Sequence, residues 1–277
     1  MRRRLGLLAG ILTQILFAWT VIRLFPFLQG TSHGHLSGWF AGRSPIPWYI
    51  WNAMLALQFS ILHSWLLYPW TRKQIERLVP SPFYGCFFSI STCLCLLAVI
   101  ELWQPQPLTV WHLTGASRRF VQGAFLLCWP LLIYSLSLTG LGYQTGWTPW
   151  WAWARRRKLP RREFEPRGLY HALRHPIYLI FLGLIWLTPT MTIDRAMLTG
   201  LWTVYIYVGS CLKDRRLIHY VGDPYREYQS RVRGYPLMLF GPLARVPFSK
   251  QPATRPYDIA QPRLRVNSIF FNAASAK

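Results

Sequence analysis

Three consecutive residues in the last third of the chain, Arg174, His175 and Pro176, have the chemistry of an anion-binding site. Proline suits the first turn of a helix, where its missing N–H would have no partner, so we expect a helix to begin at Pro176. The free N–H groups and the dipole of such a helix favour negative charge at its start. The Arg174 guanidinium adds a donor suited to a carboxylate or a phosphate.

A second candidate group, Asp214, lies in the strongly basic sequence Lys213-Asp214-Arg215-Arg216. Two antiparallel helices between Pro176 and Lys213 would return the chain to the side from which the first of them starts. We therefore expect Asp214 to approach Arg174 and His175. Its carboxylate follows a helix C-terminus, where the dipole does not favour it. It either binds a cationic ligand group or pairs with Arg174 or Arg215, and these residues alone favour the structural ion pair.

Two tyrosines follow the turn sequence Val221-Gly-Asp-Pro. Tyr225 and Tyr228 would share one helical face with Val232. This segment is either an amphipathic helix at the membrane interface or part of a cover over a ligand.

The elements that must position these groups are membrane helices. Of 277 residues, 52% are hydrophobic and 14% are charged, and this apolar content excludes disorder for most of the chain. Uncharged or nearly uncharged runs approach the roughly 20 residues that a spanning helix needs. They predict six spans: Leu5–Ile22, Pro45–Tyr68, Pro82–Ile100, Phe120–Leu141, Pro176–Ile193 and Ala196–Leu212. The last two form a C-terminal helical hairpin, and the expected fold class is an all-α polytopic membrane protein.

The distribution of charge predicts the orientation. Lysine and arginine, 31 against 9 acidic residues, concentrate in segments 1–4, 69–81, 143–175 and 213–277. Because cytoplasmic loops carry the Lys/Arg excess, we expect both termini and the Arg174 region at the cytoplasmic face. Topology and attraction to anionic membrane lipid explain the net charge of +22, and a nucleic-acid partner is not needed.

The two ends of the chain receive separate interpretations. Arg2-Arg3-Arg4 before an apolar run is also typical of a signal peptide, but the bulky sequence after Arg23 favours an uncleaved helix. Residues 250–277 are rich in proline and polar residues without periodicity, so we expect a flexible tail after a membrane domain at 1–249.

His63 is a polar residue inside the second predicted span. A polar group at membrane depth suggests function, so His63 is a candidate on the substrate side. The structural alternative, a hydrogen bond to a neighbouring helix, is slightly favoured. The five cysteines all lie in apolar runs without metal-ligand spacing, so we expect no metal site and no disulfide framework. The tryptophans near the span ends predict an aromatic belt, not a ligand cage.

The order of these motifs resembles a known family. Arg174-His-Pro-Ile-Tyr178, a hairpin, an acidic position and a Gly-x-x-Tyr-x-x-Tyr segment are similar to the isoprenylcysteine carboxyl methyltransferase-like superfamily. Leu62-His-Ser64, Trp103-Gln-Pro-Gln-Pro-Leu-Thr-Val-Trp111 and Thr188-Pro-Thr-Met-Thr192 resemble its methanethiol S-methyltransferase branch. The likeness covers roughly residues 50–240.

The resemblance implies an integral membrane methyltransferase with S-adenosylmethionine as cofactor, acting on a small thiol or another lipophilic acceptor. Arg174 and the helix starting at Pro176 would hold the cofactor carboxylate, and Asp214 would pair with its ammonium. The resemblance implies further contacts to ribose, adenine or carboxylate, and closure of the site, from His175, Tyr178, Tyr225, Tyr228 and Arg231. No residue is assigned to catalysis.

The chain departs from the family pattern at two positions. Lys213-Asp214 stands where the superfamily usually has Glu-Glu, and Ile180 replaces a glycine. The alternative to an enzyme is therefore a non-catalytic membrane relative with a degenerate cofactor site.

Overall fold

The apolar runs form long helices in a computed structural model, which describes residues 2–31, 34, 36, 46–159 and 164–248. The chain divides into two compact units, 1–159 with 177–207 and 160–176 with 208–277, each taken as far as the structure describes it. The predicted tail, 250–277, lies outside the described residues.

The first part of the chain, up to residue 159, is almost entirely helical in its described residues. It contains α1 (Arg2–Gln29), α2 (Trp48–Leu66), α3 (Pro69–Ile75), α4 (Tyr84–Leu102), α5 (Gly115–Thr139), α6 (Leu141–Gln144) and α7 (Trp147–Ala154). A 3₁₀ turn, Ser81–Phe83, precedes α4. Helix α4 packs against both α1 and α2, which makes it the central helix of this unit.

Three of these helices are long and apolar enough to cross a membrane. They are α1, α4 with its preceding turn, and α5, and the pair α2 and α3, bent by 79°, forms a fourth candidate if it is one span. Within the described residues, length and composition therefore support three of the six predicted runs, and a fourth if the bent pair is a single span.

The fifth predicted run is wrong as a continuous helix. Helix α8 (Pro176–Trp186) has 11 residues, about 16 Å at 1.5 Å per residue, and ends before the predicted boundary at Ile193. Pro189 explains the end, because proline disfavours helical backbone at the residue before it. The sixth run lies inside the 29-residue helix α9 (Ile193–Val221), which is outside the set of candidate spans.

The residues between α8 and α9 form a strand that an all-α prediction omits. Strand β2 (Thr190–Thr192) pairs antiparallel with β1 (Thr109–His112), with Trp111 opposite Met191. Threonine, valine and tryptophan suit a half-buried strand.

Two charged residues that interrupt the apolar runs bind each other. Arg23 of α1 and Glu101 of α4 form an ion pair with 2.7 Å between Nη2 and Oε1. A third, Asp194 in the first turn of α9, is buried and accepts hydrogen bonds from Trp103 Nε1 at 2.8 Å and the Gln106 N–H at 3.2 Å. Its position at a helix N-terminus also suits its negative charge.

Helix α1 approaches α7 through glycine. The Trp150 indole N–H donates to the Gly6 carbonyl at 2.8 Å, and a Cβ on Gly10 would lie 2.0 Å from Trp150 Cε2. Small residues four positions apart allow this close packing in membrane helices. Trp150 and Trp103 are therefore buried structural residues, which corrects their assignment to an aromatic belt, whereas Trp65 and Trp70 are more than half exposed.

The second unit contains the first residue of α8 and the C-terminal part of α9. A 3₁₀ turn, Gly168–His171, leads to Arg174, and α8 begins at Pro176, as the sequence predicts. After α9 the chain turns at Gly222, whose φ of 75° suits glycine, into α10 (Asp223–Arg231). The following residues return to the start of α8, where Leu173 and Arg233 form a parallel β-bridge.

We expect Gly10→Ala to destabilise the first unit, because the added methyl group overlaps the Trp150 ring. The loss should be about 1–3 kcal/mol, as for overpacking in a core. Thermal unfolding in detergent, followed by tryptophan fluorescence, measures it.

Gly123→Ala is the matched control, since no atom of the described residues lies within 4 Å of a Cβ at that position of α5. It should leave the melting temperature unchanged or raise it slightly, because alanine favours a helix over glycine. Equal melting temperatures for the two variants would contradict this packing.

Candidate functional site

The carboxylate of Asp214 is the centre of a buried polar cluster in the second unit. Arg174 Nη1 lies 3.1 Å from its Oδ2, and His175 Nε2 lies 3.0 Å from its Oδ1. The Tyr225 hydroxyl donates a third contact to Oδ1. All four residues are buried. The ion pair with Arg174, the structural alternative in the sequence, is therefore present.

Three segments bring these groups together. Arg174 and His175 immediately precede α8, Asp214 lies two turns before the end of α9, and Tyr225 lies in the first turn of α10. The sharp turn at Gly222 reverses the chain between α9 and α10, so that Tyr225 reaches back to Asp214.

A fourth segment, 233–244, anchors Arg174. The Arg174 Nη2 group donates to the Ala244 carbonyl at 2.9 Å and to the Pro242 carbonyl at 3.4 Å, while the Arg174 N–H donates to the Arg233 carbonyl at 2.8 Å. The sequence did not predict a role for this segment. Backbone carbonyls carry no residue signature, so no motif could have identified them.

Gly234 and Tyr235 pack this segment against His175. A Cβ on Gly234 would lie 2.9 Å from the Leu243 carbonyl oxygen and 3.2 Å from His175 Cδ2, so the close approach requires glycine. The Tyr235 ring lies 5.9 Å from the His175 ring, and its hydroxyl is 2.6 Å from Ser210 Oγ. One feature of the sequence is consistent with this contact: Gly234, which permits a close approach of the backbone, directly precedes the aromatic residue Tyr235.

The environment fixes the charges in the cluster. Burial lowers the pKa of His175 to about 4, although Asp214 opposes this shift, so the imidazole is neutral at pH 7. Burial alone would raise the pKa of Asp214, but His175, Arg174 and Tyr225 outweigh it and the net shift is downward. Burial and the Asp214 charge raise the pKa of Tyr225, which stays protonated and donates. A neutral His175 facing a carboxylate carries its proton on Nε2.

The Arg174–Asp214 contact leaves hydrogen-bonding capacity unused. Within the described part of the chain, Arg174 Nε and Nη1 and Asp214 Oδ2 are buried without an aligned hydrogen bond. The pair is held by charge at 3.1 Å and not by a well-directed N–H···O bond. Buried donors and acceptors are almost always paired, so these atoms form an adjacent donor and acceptor for a polar ligand.

The other predicted residues have different surroundings. The Tyr228 hydroxyl donates to the Tyr170 carbonyl, and its ring lies 5.7 Å from that of Tyr225. Arg231 pairs with Glu227 on the surface of α10, with 70% of its side chain exposed. The structure therefore brings Tyr228 to the cluster and leaves Arg231 exposed in an ion pair with Glu227.

Two predicted residues belong to the first unit. Tyr178 lies half-buried in the first turn of α8. His63 lies on α2, where its ring is 5.7 Å from the Phe59 ring and 5.1 Å from the Phe88 ring.

The two departures from the family pattern are both accommodated. Lys213 Nζ lies 5.8 Å from the centre of the Tyr170 ring, and burial and Arg216 lower its pKa to about 8 despite the opposing charge of Asp214. Ile180 is buried on α8.

Comparison with known proteins gives several relatives. A methanethiol S-methyltransferase from a Pseudomonas species is 27% identical over 82% of this chain and 88% of its own length. Methanethiol S-methyltransferase 1 from Bradyrhizobium diazoefficiens is 26% identical over 82% of this chain and 80% of its own. Nurim from Rattus norvegicus is 26% identical over 65% of this chain and 73% of its own.

No family model matches the chain, and no solved structure matches it. The methanethiol S-methyltransferases cover most of this chain. They confirm that the chain is a homologue of methanethiol S-methyltransferases, consistent with the isoprenylcysteine carboxyl methyltransferase-like superfamily.

Proposed function

We propose that this chain is an integral membrane methyltransferase that uses S-adenosylmethionine and acts on a small thiol or another lipid-soluble acceptor. One observation carries the proposal: Arg174, His175 and Asp214 meet in one buried cluster in a homologue of methanethiol S-methyltransferases. The relatives favour this function over a non-catalytic one.

The chemistry of the cluster suits the amino-acid part of S-adenosylmethionine. That part carries one carboxylate and one ammonium group. Arg174 Nε is a buried donor without a hydrogen bond in the described part of the chain, and Asp214 Oδ2 is an acceptor in the same condition. Arg174 would hold the carboxylate and Asp214 the ammonium, because charge-assisted hydrogen bonds are the strong ones.

The surrounding residues have supporting roles in this proposal. His175 and Tyr225 hold the Asp214 carboxylate from its other oxygen, so that Oδ2 keeps its direction. Pro176 starts α8, whose positive dipole end adds to the charge of Arg174. Tyr178 would contact the nucleoside, while Tyr225 and Tyr228 would close the site. Arg231 would have to leave Glu227 to take part.

The task of the chain is alignment and exclusion of water. When bound, S-adenosylmethionine supplies an electrophilic methyl carbon. The nucleophile is a thiolate, and the excess of basic residues in the surrounding chain favours that anionic form. Positioning of the reacting atoms in a dry pocket lowers the barrier without further acid–base chemistry. The acceptor would enter from the bilayer, with His63 as a contact on the substrate side.

The proposed function requires an arrangement in the membrane. We propose that α8 together with residues 187–192 forms a fifth span and α9 a sixth, with both termini in the cytoplasm, and that the Asp214 cluster lies at the cytoplasmic face. The excess of basic residues in segments 143–175 and 213–277 supports this orientation.

The double variant Arg174→Gln/Asp214→Asn tests the site, because it removes both charges without leaving either of them buried alone. A single change at Asp214 would leave an uncompensated buried guanidinium, at a cost of about 3–5 kcal/mol in stability. We expect the double variant to fold and to lose at least about 100-fold in affinity for S-adenosylmethionine, equal to two lost charge-assisted contacts. Calorimetry on detergent-purified protein measures this affinity.

The matched control is Arg226→Gln/Asp223→Asn, which removes an exposed ion pair of the same composition on α10. Its affinity and its conversion of methanethiol to dimethyl sulfide, detected by gas chromatography, should equal those of the parent. Unchanged binding by the Arg174→Gln/Asp214→Asn variant would exclude this site.

Lys213→Glu separates the enzyme from the degenerate-site alternative. That alternative is favoured by the lysine itself, which stands where the family has an acid. We expect the parent to bind S-adenosylmethionine and Lys213→Glu to strengthen binding about tenfold, by exchanging a like charge for a counter-charge. If only Lys213→Glu binds, the parent is a non-catalytic relative.

The depressed pKa of His175 predicts a loss of stability in acid. The unfolded chain takes up this proton near pH 6.5 and the folded chain only near pH 4, so stability falls as the pH drops through that window. The loss should be about 2 kcal/mol between pH 7.5 and pH 5. Asp214 adds stability that is present above pH 3.8 and is lost below it, because its folded pKa is lowered.

Thermal unfolding against pH measures this slope. His175→Asn should flatten it between pH 7.5 and pH 5, whereas His219→Asn, at an exposed position of α9, should retain it. The same slope in all three proteins would contradict a buried neutral imidazole.

A further inference from the structure

The first unit contains a cavity of about 860 Å³ that the proposed methyltransferase chemistry does not use. It lies between the start of α1, the turn before α4 and the end of α7. Its lining includes Arg3, Gly6, Phe83, Trp153, Arg156 and Arg157.

The charged residues that are described along this cavity are all basic. Three of its described lining residues are arginines, and none of those described residues carries a carboxylate. Arg3 Nη2 donates to the Ala154 carbonyl at 3.1 Å, which fixes that guanidinium at the C-terminal end of α7. Several arginines along one cavity favour a phosphate or a carboxylate, and the planar arginine fork suits phosphate in particular.

Arg156 adopts a backbone conformation that residues other than glycine rarely adopt. Its φ is 52°, and within the described residues it is the only non-glycine residue with positive φ. It closes α7, where the Arg156 N–H donates to Trp153 at 3.1 Å and the Arg157 N–H donates to Ala152 at 2.9 Å. Helices that end in this way usually have glycine at this position. Arginine at this φ costs free energy that glycine would not cost, and this outlier points to a role for the Arg156 side chain.

The remaining walls are apolar. Leu5, Ala9, Pro80, Phe83 and Trp153 line the cavity beside the arginines. Arg3 begins the candidate span of α1, so the cavity lies where a membrane helix meets the interface. A free phosphate has no use for the apolar walls, and a nucleic acid would not reach them. The fitting occupant has an anionic head and a hydrocarbon chain.

We propose that this cavity binds one anionic phospholipid, with its phosphate on Arg3, Arg156 and Arg157 and an acyl chain along Leu5 and Ala9 of α1. Basic pockets between membrane helices bind anionic head groups. The occupant would join α1 to α7 at the membrane surface. This inference does not depend on the methyltransferase function, because every residue involved lies in the first unit.

Native mass spectrometry on the full chain in detergent tests the proposal. The probes are phosphatidylglycerol and phosphatidylcholine with identical acyl chains. We expect the parent to retain one phosphatidylglycerol with about tenfold preference over phosphatidylcholine, and Arg156→Gly/Arg157→Gln to lose that preference. Glycine suits φ of 52°, so this variant should keep the melting temperature of the parent.

Arg155→Gln/Lys158→Gln is the matched control. It removes two exposed cations from the same segment, and neither residue lines the cavity. It should retain the preference within about twofold of the parent, because general surface charge contributes little at this site. An equal loss in both double variants would reduce the effect to overall charge and overturn the proposal.

Soluble glycerol phosphate separates a lipid from a free phosphoryl ligand. In 100-fold molar excess it should leave bound phosphatidylglycerol in place, since it lacks the acyl chain that the apolar walls bind. Its displacement of the lipid at equal molar concentration would identify a free-anion site and overturn the lipid assignment. Equal retention of the two phospholipids by the parent would also overturn it.

Discussion

A buried carboxylate in a chain with a net charge of +22 is the constraint around which the second unit is arranged. Asp214 and Arg174 are both shielded from water, and neither could be buried alone without a large cost in solvation. Burial of Asp214 therefore requires the segment before α8 to stay in place, and burial of Arg174 requires the same of α9. His175, Tyr225 and the carbonyls of residues 242 and 244 then complete the shell, so four separate stretches of chain depend on one charge pair.

The first unit uses acids in the same way. Only nine acidic residues face 31 basic ones, and two of them lie at structural junctions. Glu101 joins α4 to α1 through Arg23, and Asp194 joins the start of α9 to the chain after α4. An acid on the surface of this chain could pair with any of many exposed cations. An acid shielded from water can reach only a few donors, so it connects specific segments.

Sequence predicted the parts that rest on local chemistry. Pro176 starts α8 because proline tolerates the first helical turn, and the approach of Asp214 to Arg174 followed from two returning helices. The sequence could not predict that Thr190–Thr192 pairs with Thr109–His112. Strands of three or four residues are too short to show a periodic pattern, and nothing local indicates a partner so distant in the chain. The sequence also could not separate Tyr228, which faces inward, from Arg231, three residues later, which pairs with Glu227 on the surface.

The neighbours Lys213 and Asp214 show how a cluster of this kind could tolerate a cationic cofactor. Successive helical residues point about 100° apart, so Asp214 meets Arg174 while Lys213 faces the Tyr170 ring. With His175 neutral, the charge of Arg174 is cancelled by Asp214, and Lys213 supplies the excess. Because its pKa is lowered to about 8, release of its proton at pH 7 costs only about 1.4 kcal/mol. A bound sulfonium would then replace a charge instead of adding one, so a lysine at this position does not by itself exclude cofactor binding.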